Sequence, residues 1–270
     1  MKNVNALLTM GLFILLSFAS CKKDNLLLDE TDLAITAEDQ AVSSDLTQDA
    51  EDQSFTEIEE RGGSPTTGCP TVTYANPQGT FPNTVTIDFG TGCLGKGGRT
   101  RAGQIIVTLT DAITNLGAVR TATLQNYSVD GVKIEGKKIL TNLGANAAGN
   151  ITLSRKVEGV VVTFLDGSIA SWDAQQTITF IAGFGTKQIS DDIIDVTGSG
   201  SGINKKGKSF SYNILEALHK DKSCKWIEQG KAEIKINDKT MTIDFGNGDC
   251  DRNAQLTLAN GTVKNILLRP

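Results

Sequence analysis

TVTIDFGTGC at Thr84–Cys93 and TMTIDFGNGDC at Thr240–Cys250 are near copies of one another, and their reading decides the fold. Val85, Ile87 and Phe89 share one phase of the first copy, and Met241, Ile243 and Phe245 share it in the second. Threonines and Asp88 or Asp244 occupy the other phase. A period of two with β-branched enrichment marks a strand with one face buried. Each copy ends in a cysteine and has another upstream, Cys69 and Cys224. Four cysteines allow three pairings, and geometry favours one of them. Residues equidistant from a hairpin turn face each other, as a bridge requires. The midpoint of 69 and 93 lies in the turn-rich stretch Asn76–Asn83, and that of 224 and 250 in Asn237-Asp238. The expected disulfides are therefore Cys69–Cys93 and Cys224–Cys250. Each closes a ring worth roughly 3 kcal/mol by loop-closure entropy.

Outward from the two boxes the alternation continues. Ile105, Val107 and Leu109 alternate with Ile106, Thr108 and Thr110; Ile178, Phe180 and Ala182 alternate with Thr177, Thr179 and Ile181. Further strand-like runs include Thr121–Val129, Lys133–Leu143, Asn150–Lys156, Asp192–Gly198, Lys208–Leu218 and Val263–Leu268. The pairs Asp130-Gly131, Asp166-Gly167, Asn237-Asp238 and Asn260-Gly261 read as turns. Strands joined this tightly run antiparallel. The expected fold is all-β: a large antiparallel meander of about a dozen strands with two disulfide-stapled hairpins, curved or closed to avoid long exposed edges.

Three segments follow. Residues 1–20 read as a lipoprotein signal peptide: Lys2 precedes an apolar run from Ala6 to Leu16 that is too short to span a bilayer. Ala19 and Ser20 lead into Cys21 as in a lipid-attachment box, with Phe18 in place of the commoner leucine. Cys21 is the expected lipidation site. Residues 21–63 read as an acidic tether, with 13 acidic and 3 basic residues between Lys22 and Arg61. So polar a segment buries too little apolar area to offset its ordering entropy. Val42, Leu46, Ala50 and Ile58 nevertheless fall at helical spacing, which allows a helix within 37–60 whose stability depends on docking. Residues 64–270 form the antiparallel β domain. From Gly62 onward 18 acidic and 22 basic residues give an ordinary balance, so the chain's net charge of −5 is assigned to the tether.

Candidate sites are few. Lys96, Arg99 and Arg101 crowd a glycine-rich loop suited to sulfate, phosphate or carboxylate groups. The same loop matches GxGxxG from Gly90 to Gly95, but a strand rather than a helix is expected next, which removes the amide dipole a nucleotide needs. Asp88 and Asp244 sit equivalently in the two boxes and read as caps of the following glycine turns. Asp191, Asp192 and Asp195, or Asp166 and Asp173, are the carboxyls a hydrolytic pair would draw on. His219 stands in a polar run with no nucleophile motif, and Asn247–Asp251 lacks the distal glutamate of a calcium loop. Trp172 and Trp226, each flanked by alternating apolar residues, read as packing residues. No catalytic residue, metal or cofactor is expected. A basic stripe interleaved with aromatics is missing, which excludes nucleic acid as a partner.

The signal ending in SCKKD, the acidic leader, the paired TIDFGxGC-type boxes and GRTRAGQIIV at Gly98–Val107 resemble exported lipoproteins of Bacteroidota. That resemblance implies compartment and architecture, and no activity. Lys22 and Lys23 differ from the acidic patch associated with surface export, so the periplasmic and surface-facing leaflets both stay open. The expectation is a lipid-anchored protein of the cell envelope at the outer membrane with a non-catalytic binding or scaffolding role. Its membrane contact is the N-terminal lipid, and its candidate partners are an anionic glycan or an envelope protein. The alternatives are a secreted polysaccharide hydrolase using a carboxylate pair, and an accessory subunit pairing through an edge strand.

Overall fold

The computed structural model describes residues 22–60, 68–95 and 98–268; of residues 22–32, 34, 38, 41 and 60 it describes the backbone alone. Cys21 and Lys96 lie outside the described residues. A helix, α1 (Lys22–Phe55), continues into one π-helical turn, Thr56–Glu60. Fourteen strands follow. They are β1 (Thr71–Tyr74), β2 (Asn83–Asp88), β3 (Cys93–Leu94), β4 (Thr100–Leu109), β5 (Val119–Val129), β6 (Val132–Ala145) and β7 (Ile151–Thr163). After these come β8 (Ile169–Ala182), β9 (Ile193–Ile203), β10 (Ser209–Asp221), β11 (Gln229–Ile236), β12 (Lys239–Asn247), β13 (Asn253–Thr257) and β14 (Val263–Leu267).

All fourteen belong to one antiparallel sheet in which each strand pairs with its neighbours in sequence, save that β3 continues β2's line along β4. The sheet is open, with β1 and β14 at its edges. Turn chemistry sets the meander. Asp130 (φ 51°) and Gly131 (φ 83°) both take the left-handed conformation that a two-residue hairpin loop needs. The expected bridges Cys69–Cys93 and Cys224–Cys250 are present, with Cα atoms 5.7 and 5.8 Å apart. The hairpin registers Tyr74↔Val85 and Lys235↔Thr240 centre on the turns that the midpoints selected.

The sheet is strongly curved. Helix α1 touches β4, β5 and β6 and also β11 and β12. From β5 to β11 is six strand spacings, about 29 Å along a flat sheet, whereas a helix is only about 10 Å across. A crease of bulges across β4–β7 helps to bend it, since bulges add twist. At Gly103 (φ 80°) a Cβ would stand 2.1 Å from the carbonyl oxygen of Asn126, so only glycine fits this crossing.

The concave face holds the core, with Val72, Val85, Ile87, Ile105, Val107, Tyr127, Ile134 and Met241 fully or almost fully buried. Strand β9 runs on past Gly198, where the sequence reading stopped it, to Ile203. Its Gly200 leaves room for the Tyr212 ring, which would lie 2.4 Å from a Cβ there. Tyr212 and Trp172 meet across it at 6.2 Å, and Trp172 is a buried packing residue as expected.

The segment read as a solvated tether needs correction. From Leu33 to Ile58 it is a helix docked in the sheet's hollow, with Leu33, Thr36, Asp39, Ser43, Leu46, Thr47, Ala50, Glu51, Ser54, Glu57 and Ile58 buried. Leu46, Ala50 and Ile58 dock as their spacing allowed, while Val42 is exposed. The boundary drawn at residue 64 therefore does not separate two bodies. The ordering of this polar segment is offset by burial that is itself largely polar, with counter-charges supplied by the strands.

Candidate functional site

Four consecutive strands each turn one cation into the hollow. Arg101 on β4, Arg120 on β5, Lys138 on β6 and Arg155 on β7 are all buried, in phase with core residues such as Ile105, Leu124, Leu140 and Val157. Helix α1 supplies the acids. Arg101 donates to both carboxylate oxygens of Asp49 at 2.9 and 2.5 Å, and the Tyr127 hydroxyl donates to the same carboxylate at 2.9 Å. Burial first, then the Asp49 charge, pushes that hydroxyl well above its ordinary range. Lys138 pairs with Glu51. Arg120 lies 3.4 Å from Glu59, donates to Ser54 at 3.2 Å and stacks over the Phe55 ring at 4.0 Å. Arg155 is held by Gln176 at 2.8 Å, and Gln176 in turn donates to the Tyr212 hydroxyl.

The seam continues along the helix. The backbone amide of Lys205 donates to Asp39 at 2.8 Å, and Asn204 donates to the Thr36 hydroxyl at 2.8 Å. Lys222 reaches Asp52 at 3.3 Å. The acidic leader and the basic strands are thus each other's counter-ions, which overturns the reading of the charge split as a property of a free tether.

The Glu51–Lys138 pair shows the energetics. Burial alone would raise Glu51, but Lys138, Arg155 and Lys222 bring it down to about 2. Burial and the repulsion of Arg155 outweigh Glu51 at Lys138, which falls to about 8. The first shift favours the folded state at neutral pH by roughly 3 kcal/mol, and the second disfavours it by a similar amount. Their mutual attraction enters both shifts, so the intact pair offsets the burial of its two charges only in part. Removing one member strands a buried charge, typically at a cost of about 3–5 kcal/mol.

The loop proposed for anions is reassigned by this seam. Arg99 pairs with Asp45 at 2.9 Å and approaches Asp49 and Asp130 at 3.5 Å; Arg101 is buried against Asp49. The two arginines do hold carboxylates, but those of the chain's own helix. Lys96 lies outside the described residues. A strand, β4, follows the loop.

Asp88 and Asp244 act as turn caps: they accept from the amides of Gly90 at 2.7 Å and Gly246 at 3.0 Å. Asp173 accepts from Gly159 and Asp166 from Ser168, so both are tied into turns and bulges. His219 pairs with Asp195 across β9 and β10 at 2.7 Å, half exposed. Asp192 stands apart: burial first, with Asp191, Asp52 and Glu51 adding against Lys222, pushes its carboxyl up to about 6. Trp226 is half-buried, with the Lys225 ammonium 5.4 Å from its ring.

A cleft of about 620 Å³ opens on β12–β14, at the rim bridged by Cys224–Cys250. Glu228, Asp244, Asp249 and Asp251 line it with Asn247, Asn253, Gln255 and Asn265, over Phe245 and Ile266. Its size is that of a small-ligand site. Among the described residues one trio gathers metal-type ligands, Cys224, Glu228 and Cys250, and both its sulfurs are spent on the disulfide.

The sequence reading missed both the charged seam and the cleft. Signals for the first were present: Arg120, Lys138 and Arg155 sit in the inward phase of their strands. The cleft depends on how β12 and β13 diverge, which no spacing encodes. The chain matches no protein-family model, no curated protein and no solved structure.

Proposed function

We propose that this is a lipid-anchored protein of the cell envelope, attached to the outer membrane through Cys21 and acting there by binding or scaffolding rather than catalysis. The kinship with exported Bacteroidota lipoproteins belongs to the same proposal. The observation that carries it is the placement of α1. Described from Lys22, the helix is built into the sheet by ion pairs from Asp39 to Glu59, downstream of the proposed lipidation site. An anchor at Cys21 would hold the β sheet as one body with the helix rather than at the end of a loose leash. Such an arrangement suits a protein that presents a surface at a set distance from a membrane.

Within this reading the place for a ligand is the β12–β14 cleft, since Arg99 and Arg101 are occupied. Four carboxylates in its wall repel an anionic glycan, so a neutral ligand or an envelope protein is the partner that fits there. Mass spectrometry of the membrane-extracted protein tests the anchor. The expected result is a chain beginning at acylated Cys21 with two disulfides, and loss of membrane attachment in Cys21→Ser. A chain that starts elsewhere, or stays membrane-bound without the cysteine, overturns it.

One observation favours the hydrolase alternative, the raised carboxyl of Asp192 beside Asp191. Release of reducing ends from envelope or host polysaccharides, abolished by Asp192→Asn, would establish that reading; its absence across neutral and acidic glycans would remove it.

A further inference from the structure

The rim of the sheet from which α1 emerges carries an apolar patch ringed by lysines. Leu165 and Ile169, on the β7–β8 hairpin, are 77% and 56% exposed, and Ile203 at the end of β9 is 46% exposed. They are neighbours in the sheet. Thr163 pairs with Ile169 and Ser171 with Ile203, and Leu165 leans on the β5–β6 turn, 3.0 Å from where a Gly131 Cβ would stand. Lys133, Lys206 and Lys208 flank them, all exposed. Asp166 and Asp130 are acids at this rim; the first is taken up by the Ser168 amide and hydroxyl, the second by the Thr100 amide and Arg99.

The same rim is where the anchored end of the chain leaves. Thr36 and Asp39 meet Asn204 and Lys205 at the β9–β10 turn, whereas Ser54 and Phe55 meet Arg120 near the opposite rim. Helix α1 therefore runs from the patch toward the far side, with Lys22 on the patch side. The far rim also exposes apolar residues, Leu116, Leu143 and Ile181, but there the acids Asp111, Asp191 and Asp192 outnumber the exposed Lys187. Charge separates the two rims where apolar exposure does not.

We infer that Leu165, Ile169 and Ile203 seat this rim on a lipid surface, with Lys133, Lys206 and Lys208 against anionic headgroups. Apolar tips ringed by lysine suit the boundary between acyl chains and headgroups. The inference rests on the lipid-anchor reading and adds to it an orientation, with the β12–β14 cleft turned away from the bilayer.

Geometry makes it exposed to refutation. Eleven residues of α1 precede Leu33, about 16 Å of helix at 1.5 Å per residue. If that stretch stood upright on the membrane, the rim would hang clear of it. Because α1 is one helix from Lys22 to Phe55, the seat requires it to bend ahead of Leu33 so that the leading turns lie along the bilayer.

Leu165→Trp and Leu116→Trp, each in the full mature chain, test this on vesicles of phosphatidylethanolamine and phosphatidylglycerol containing brominated lipid. Coupling Cys21 to a maleimide-bearing lipid supplies the anchor whether or not the cell acylates that residue. Failure here thus concerns the rim, while failure of acylation by mass concerns the anchor reading. The expected result is that the added tryptophan emission of the Leu165→Trp variant, taken over the wild-type background, moves to the blue and falls by about half, while that of Leu116→Trp does not change. Adding Lys206→Glu and Lys208→Glu should weaken the quenching, and should not do so on vesicles of phosphatidylcholine alone. Quenching at neither position, or equally at both, overturns the seat.

Discussion

In the first copy of the box Val85, Ile87 and Phe89 are all buried, and Phe89 tilts against Tyr127 at 5.7 Å. In the second, Met241 is buried but Ile243 and Phe245 are only half covered, and Phe245 helps to line the cleft. Both copies make the same strand, the same aspartate-capped glycine turn and a disulfide spanning similar rings of 24 and 26 residues. Their shared residues thus determine local form. Burial is decided by what lies across the hollow. The first copy adjoins β4, whose neighbours hold α1 by charge; the second lies where β12 and β13 part.

The largest test breaks the helix-bearing side selectively. Glu51→Gln should lower stability by about 3–5 kcal/mol, because Lys138 is left as an unpaired buried charge. Hydrogen exchange should rise in β5–β7 more than in β12–β14. The double variant Glu51→Gln/Lys138→Met should recover most of the loss in urea denaturation, and failure to do so would show that the pair is not a unit.

Next, Phe89→Ala should cost about 3–5 kcal/mol and Phe245→Ala about 1, since only the first empties a sealed core position. Equal losses by urea titration would mean that the two boxes are embedded alike.

Acid should act on the α1 side as well. Glu51 has its folded pKa depressed from 4.5 to about 2, so its contribution is complete above 4.5 and is lost as pH falls through about 2. The loss amounts to roughly 3 kcal/mol for this fully buried group. Asp192, raised from 3.8 to about 6, works in the opposite sense over that higher window. The difference between wild type and Glu51→Gln below pH 4, followed by circular dichroism, isolates the glutamate. A parallel fall in both proteins would remove Glu51 as the cause.

The smallest effect sharpens the likeness rather than the contrast. Asp88→Ala and Asp244→Ala should each cost about 1 kcal/mol, the worth of a turn hydrogen bond. Each has a second partner, Gln104 donating to Asp88 at 2.7 Å and Lys231 3.5 Å from Asp244, so the two losses should be alike. A loss at one position only would show that the caps are not equivalent.

Most of the architecture was legible because it is local. Alternation in Val85–Phe89, the Asp130-Gly131 turn and the cysteine midpoints all act within a hairpin. Strand β9 was cut short at Gly198 because a glycine–serine run looks like a loop until Tyr212 and Trp172 cover it from neighbouring strands. The docked helix was misjudged for a related reason. Its spacing was seen at Leu46, Ala50 and Ile58, but its acids were weighed as solvated charge. Of the cationic loop Lys96, Arg99 and Arg101, the two arginines hold carboxylates from within the chain, which their own neighbourhood in sequence does not announce.

The charged seam also has a bearing on how the chain assembles. The residues that hold α1 lie 50 to 170 positions downstream of it, from Arg99 against Asp49 to Lys222 against Asp52. The acidic segment is synthesised before all of its counter-charges, which begin with Arg99 and Arg101 at β4 and end with Lys222 just after β10. Contacts so distant in sequence slow folding. The helix is therefore among the last elements to be fixed in place, and its unpaired charge keeps it solvated until then.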